Sequence, residues 1–427
     1  MKHVLLDFID FRYSIGKQQI WLYAYMLTFL GYAATSAFAD PLLALSILIF
    51  MISPLFPAFL MFVFYLLWEY VTTFSFGVTA VMLMQVIMLA KFIIQRNFLP
   101  TCLTYKQAKA KRLQMYLLFY ICFIAFISFV FYHSTTGIGY IFKVLITFYS
   151  ISFLKSEKCF FQYLKSITHI LALSALVATI YGTTHETGLE RWIHGMGGYV
   201  TQLYGTLGTT RMALFYLVGI IHFLYFQENK ITKYGGLILF IILTLMTVSL
   251  TAVALLCLVM LIYMLSRGKI HTIVLRLSLS VILIISTFPI WSTFSFVQPV
   301  IDRIEYSSDA IEQGDTNAAL TGREELKKYY LKQFEESDVP TKVLGNFRTT
   351  IETTGFNMNS HNTYIDILFY FGILGLFLLF IYQFKRYHIM KETQYFYPLI
   401  SLKLLILIGA SSVSIMSATY FFFLLFI

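Results

Sequence analysis

The sequence predicts an all-α, polytopic membrane helix bundle, and three observations predict it. Of 427 residues, 59% are hydrophobic and 12% charged, about half the charged share of an ordinary soluble domain. Apolar runs close to the length that crosses a hydrocarbon core, about 20 residues, recur along the chain. Between them Lys and Arg gather in short loops, the asymmetry that orients a chain in a bilayer. Inside lipid every backbone N–H and C=O must be satisfied within its own segment, so these runs are helices.

The first runs are 20–38, which ends at Asp40-Pro41, then 42–52, 58–71 and 78–94, with a tight turn around Pro54 and Pro57. Asp7, Asp10 and Arg12 precede the first run with no small-residue cleavage pattern, which reads as a retained helix rather than a signal peptide. A basic segment with Arg96, Lys106, Lys109, Lys111 and Arg112 leads to the runs 115–132 and 140–154. The loop carrying Lys155, Lys158 and Lys165 precedes 167–180. A polar stretch, 183–211, interrupts the pattern before 213–226. The run 235–265 is too long for one comfortable span and reads as a hairpin turning near Ser249–Thr251. After Arg267, Lys269 and Arg276 comes 277–294, then a long polar loop, 295–360. The C-terminal spans, 361–427, comprise 363–384, a basic loop with Lys385, Arg386 and Lys391, and a final stretch, 396–427.

With the N-terminus inside, this threading gives about 13 to 14 spans in a single transmembrane domain, 1–427. Every basic loop then faces the cytoplasm, and 183–211 and 295–360 share the outer face. The net charge of +10 is therefore topological, with no RGG-like or zinc-finger pattern to suggest nucleic acid. Four cysteines, Cys102, Cys122, Cys159 and Cys257, lie in or beside apolar runs without CxxC spacing, so no disulfide framework, metal site or cofactor is expected.

Scarce charge makes the charges near the outer surface the candidates for chemistry. The first outer stretch holds Glu186, Glu190 and Arg191 among glycines, as a solvated flexible loop or as binding groups. Arg211 opens an apolar span, where its guanidinium either snorkels or clamps an anion at headgroup depth. In the long loop the acidic run Asp302–Asp315 reads as a solvated face, and a helix with Arg323 at its start is expected over 324–334. Ser360 is placed to cap the next span, His361 stands at its mouth as a cap or a base, and Asn362 and Asp366 share one face at i, i+4. An acid inside a span is a functional-site hypothesis by default.

These residues also carry a family likeness. Thr321-Gly322-Arg323, then Val343-Leu344-Gly345-Asn346, then His361-Asn362-Thr363-Tyr364 before Phe371-Gly372-Ile373-Leu374-Gly375, resembles the O-antigen ligase and Wzy-type polysaccharide polymerase superfamily. Tyr204-Gly205-Thr206-Leu207-Gly208-Thr209-Thr210-Arg211 is similar to that family's first glycine-rich outer motif. The likeness covers mainly 200–215 and 320–380, and departs where the family often shows Asn-Pro-Asn (here Thr209-Thr210-Arg211) and Ser-Arg (here Ser249-Leu250-Thr251).

The resemblance implies a GT-C-like membrane glycosyltransferase of the bacterial cytoplasmic or inner membrane. Such a protein transfers a glycan from undecaprenyl pyrophosphate to an acceptor hydroxyl at the outer face, without metal, alongside a flippase and a chain-length regulator. It implies Arg211 and Arg323 as phosphate-stabilising groups and His361 as base. Arg191, Glu186, Glu190, Asn362, Tyr364 and Asp366 would contact substrate. The alternatives are the ligase branch and a lipid-linked oligosaccharide flippase or other transporter.

Overall fold

The computed structural model describes residues 20–34, 38–68, 80–94, 105–132, 141, 145–146, 157–185, 190–192, 199–201, 209–268, 278, 292–294, 297–315, 323–346, 360, 362–393 and 395–411. The expected spans at 140–154 and 277–294, and the last stretch after 411, lie almost wholly outside these residues.

The described chain is helical apart from one short hairpin. The first helices are α1 (Ile20–Ala34), α2 (Ala39–Ile52), α3 (Leu55–Tyr65), α4 (Ala80–Ile94), α5 (Tyr105–Tyr132) and α6 (Glu157–His185). Strands β1 (Glu190–Trp192) and β2 (Tyr199–Thr201) follow, then α7 (Thr209–Tyr225), α8 (Lys230–Met246) and α9 (Leu250–Arg267). The remaining helices are α10 (Gln298–Glu312), α11 (Arg323–Glu336), α12 (Val339–Leu344), α13 (Thr363–Met390) and α14 (Phe396–Gly409).

Among the described residues three segments are long and apolar enough to cross a membrane: Tyr163–Gly182, Leu250–Arg267 and Thr363–Met390. Seven shorter apolar helices of 10–17 residues accompany them.

Two helices, apolar on every side, form the centre, as helices of that composition must. In α3, Pro57 to Tyr65 are all buried. In α7, Met212 to Val218 are buried without a break, and the helix is enclosed by α6, α8, α9 and α14. Polar groups inside are tied locally. Trp68 donates its indole N–H to Ser174 Oγ at 3.2 Å, and Ser174 donates to the Phe64 carbonyl at 2.6 Å.

Several expectations need correction. Of the basic segment before 115, Lys106, Lys109, Lys111 and Arg112 are helical and belong to α5, as Lys158 and Lys165 belong to α6, while Arg96 lies outside the described residues. The polar stretch 183–211 holds an antiparallel hairpin, with Glu190 opposite Thr201 and Arg191 opposite Val200, rather than only flexible loop. The break in 235–265 falls at Thr247–Ser249, slightly before the expected place. Val248 takes φ 51 there, and Ser249 caps α9 through the Ala252 N–H.

The largest correction concerns 363–384, expected as one span. Helix α13 breaks at Gly372, with φ 62 and ψ −173. Tyr364 and Phe380 stack with ring centroids 6.2 Å apart, whereas sixteen residues of continuous helix would separate them by about 24 Å. The halves before and after Gly372 therefore fold back on each other. The turn is held from outside. A side chain at Gly372 would strike the Val343 carbonyl, and one at Gly345 (φ +77) would strike the backbone of Tyr370 and Phe371. Asn346 N–H donates to the Phe369 carbonyl at 3.0 Å. Tyr120 of α5 directs its hydroxyl at two carbonyls, Leu344 at 2.9 Å and Phe371 at 2.8 Å.

Candidate functional site

The mouth of α13 is built by short polar side chains satisfying the helix's first amides. Asn362, not Ser360, is the cap: its Oδ1 accepts from the N–H groups of Tyr364 (2.9 Å) and Ile365 (3.2 Å). Ser360 acts one step earlier. It is fully buried, accepts the Asn362 N–H at 3.1 Å and donates to Asp366 Oδ1 at 2.7 Å. Asp366, 3% exposed, thus sits in the first turn, where the helix dipole favours an anion. His361, between these residues, lies outside the described set, as does Glu186.

The mouth is docked on the end of α14. Thr363 N–H donates to the Ala410 carbonyl at 2.8 Å, Asn362 Nδ2 to Ser411 O at 3.0 Å, and Tyr364 Oη to Leu407 O at 2.6 Å. Next to Ala410, a side chain at Gly409 would meet Leu214 Cδ2 at 2.8 Å. Leu214 lies one turn beyond Arg211, the half-buried third residue of α7. The starts of α7 and α13 and the end of α14 therefore meet at one end of the bundle. Tyr364 donates its hydroxyl proton to this joint and stacks its ring on Phe380. Glu190 and Arg191 sit on β1.

Helices α10 and α11 add two guanidinium groups. Helix α11 lies on the first half of α13 through Tyr330 and Phe334, whose rings stand 6.2 and 5.6 Å from that of Phe369. Its first residue is Arg323, half-buried, and removal from water pushes its guanidinium below the usual value. Helix α10 buries Val300, Arg303, Ser307 and Ala310 along one face, while Asp302, Glu305, Asp309 and Glu312 are exposed. The acids of this run are solvated as expected, but Arg303, 6% exposed, is not. Burial lowers its guanidinium, Tyr306 opposes this, and the neighbouring Arg323 charge adds to it. Arg303 lies over the Tyr306 ring at 5.4 Å. Sequence reading passed over it inside an acidic run. The available signal was the helical spacing 300, 303, 307, 310 with an arginine on the inward face.

Arg303 and Arg323 are each partly withdrawn from water, the charge of Arg323 is felt at Arg303, and planar guanidinium groups of this kind can grip phosphate bidentately. Among the described residues no cluster of three or more His, Cys, Asp or Glu could hold a metal ion. No family model, no curated protein and no solved structure matches the chain.

Proposed function

We propose that this chain is a polymerase of cell-surface polysaccharide, transferring a growing glycan from undecaprenyl pyrophosphate to a hydroxyl of an incoming lipid-linked repeat unit at the outer face of a bacterial cytoplasmic or inner membrane. One observation carries the reading: two partly dehydrated arginines, Arg303 and Arg323, lie on α10 and α11, the charge of Arg323 is felt at Arg303, and α11 packs on the half-helix that Asn362 caps. The motif likeness along 200–215 and 320–380 supplies the substrate class.

The leaving group is a pyrophosphate, already a stabilised anion, so the reaction needs charge stabilisation more than proton donation. Arg303 and Arg323 bind its oxygens, with Arg211 at the rim of the same end and Arg191 in the preceding hairpin. Fixed cations in a dry site act most strongly where charge develops. As the anomeric C–O bond to pyrophosphate breaks, the acceptor oxygen bonds to that carbon from the opposite side. His361 takes the hydroxyl proton, leaving the linkage inverted. Asp366, held by Ser360, and Asn362 fix the backbone beside that imidazole. Glu186 or Glu190 is the alternative base.

The test is the lipid-linked intermediate that builds up when the gene is deleted. Flipped single repeat units on the outer leaflet support polymerisation, with rescue by wild type but not by Arg303→Ala or Arg323→Ala at equal membrane abundance. Unflipped units on the inner leaflet would replace this reading with a flippase. Complete free polymer lacking its lipid A-core attachment would replace it with the ligase branch.

A further inference from the structure

A second polar centre lies some way from the arginines. His222 is eleven residues beyond Arg211 on α7, about 16 Å along the axis. Its Nδ1 stands 3.0 Å from Thr168 Oγ1 and its Nε2 stands 3.2 Å from His169 Nδ1.

The partners assign the tautomers. Thr168 has one hydroxyl proton, directed at the main-chain carbonyls of Leu164 (2.9 Å) and Lys165 (3.1 Å). With that proton committed, the Thr168 oxygen accepts from His222, whose Nδ1 therefore carries the proton. His222 Nε2 is then an acceptor, which requires His169 Nδ1–H to donate. By elimination, His169 Nε2 presents a lone pair. His222 is buried, but His169 is exposed and lines a cavity of ≈150 Å³ between α1, α3 and α6, with Leu22, Tyr23, Phe56, Leu60 and Ser166. Four residues before His169, on the same face of α6, Lys165 is exposed.

We propose that this cavity binds a phospholipid whose headgroup carries an N–H ammonium, with the ammonium donating to His169 Nε2, the phosphate on Lys165, and an acyl chain along the apolar wall of α1 and α3. Lys165 selects the phosphate. The neutral imidazole's lone pair selects a donor, which a trimethylammonium headgroup lacks. The assignment is independent of the polymerase reading.

The experiment uses the full chain in nanodiscs of equal parts phosphatidylethanolamine and phosphatidylcholine with identical acyl chains, and counts retained lipids by native mass spectrometry. Ethanolamine lipid should be retained about tenfold over choline lipid, the scale of one charge-assisted hydrogen bond. N-methyl and N,N-dimethyl headgroups, which keep an N–H, should behave like ethanolamine, with the loss at the third methyl. His169→Leu should bring all four to parity. Equal retention by the wild type, a graded loss with each methyl, or an unchanged preference in His169→Leu would each overturn the proposal. The methylation series needs no variant, so a misfolded His169→Leu would not blunt it.

Discussion

Arg303 and Arg323 owe their candidacy to surroundings rather than to type, since 31 Lys and Arg are present in the chain. What separates these two is partial removal from water. If they hold a pyrophosphate, Arg→Lys at either position should restore little, because an ammonium cannot reproduce the two-pronged contact. Either Arg→Ala should lower the rate of chain extension by about 10²-fold, the scale for losing one preorganised donor, measured as polymer formed per unit of membrane protein. A second prediction concerns the base: His361→Ala should lower extension by about 10²–10⁴-fold at matched membrane abundance. Arg323 was legible in the sequence because it opens a charged helix. Arg303 was not, because the acids around it dominate the local composition and only helical phase reveals which residue turns inward.

Helix starts were readable only in part: the polar residues near Ser249 mark the break before α9, whereas Ser360 and Asn362 both offer a cap for α13 and only the structure selects Asn362. The fold-back of α13 was not readable. An unbroken apolar run has the same composition whether it crosses once or folds on itself, and Gly372 is a faint cue without the partner that wedges the turn. That partner, Val343 to Asn346, lies some 26 residues earlier and meets the break only in three dimensions. Gly372→Ala must adopt a positive φ and enter the Val343 carbonyl, so it should cost about 1–3 kcal/mol or more and lower the thermal midpoint in detergent. Tyr120→Phe strips the hydroxyl from the Leu344 and Phe371 carbonyls. It should cost about 1–3 kcal/mol, with extension falling at temperatures where the helices remain folded. An unchanged midpoint in both variants would mean the wedge does not hold the turn.

At the scale of the whole molecule the bundle has two distinguishable ends. One gathers the starts of α7 and α13 with the end of α14. At the other, Lys233 of α8 donates to the Leu224 carbonyl at 2.8 Å and to Tyr263 Oη at 3.2 Å, and Arg267 lies over the Tyr263 ring at 5.6 Å. On the proposed topology the basic groups at that second end face the cytoplasm. With the native cysteines replaced, Glu312→Cys should react with an impermeant maleimide on intact cells, and Glu392→Cys only after lysis. The reverse pattern would invert the assignment of faces. The most direct measurement is extension by the purified chain in proteoliposomes supplied with undecaprenyl-pyrophosphate-linked repeat units alone. The account predicts a ladder of longer lipid-linked glycans with release of undecaprenyl pyrophosphate, nearly abolished in an Arg303→Ala, Arg323→Ala double variant. A ladder of equal length and rate from that variant at matched reconstitution, or none from the folded wild type, would contradict it.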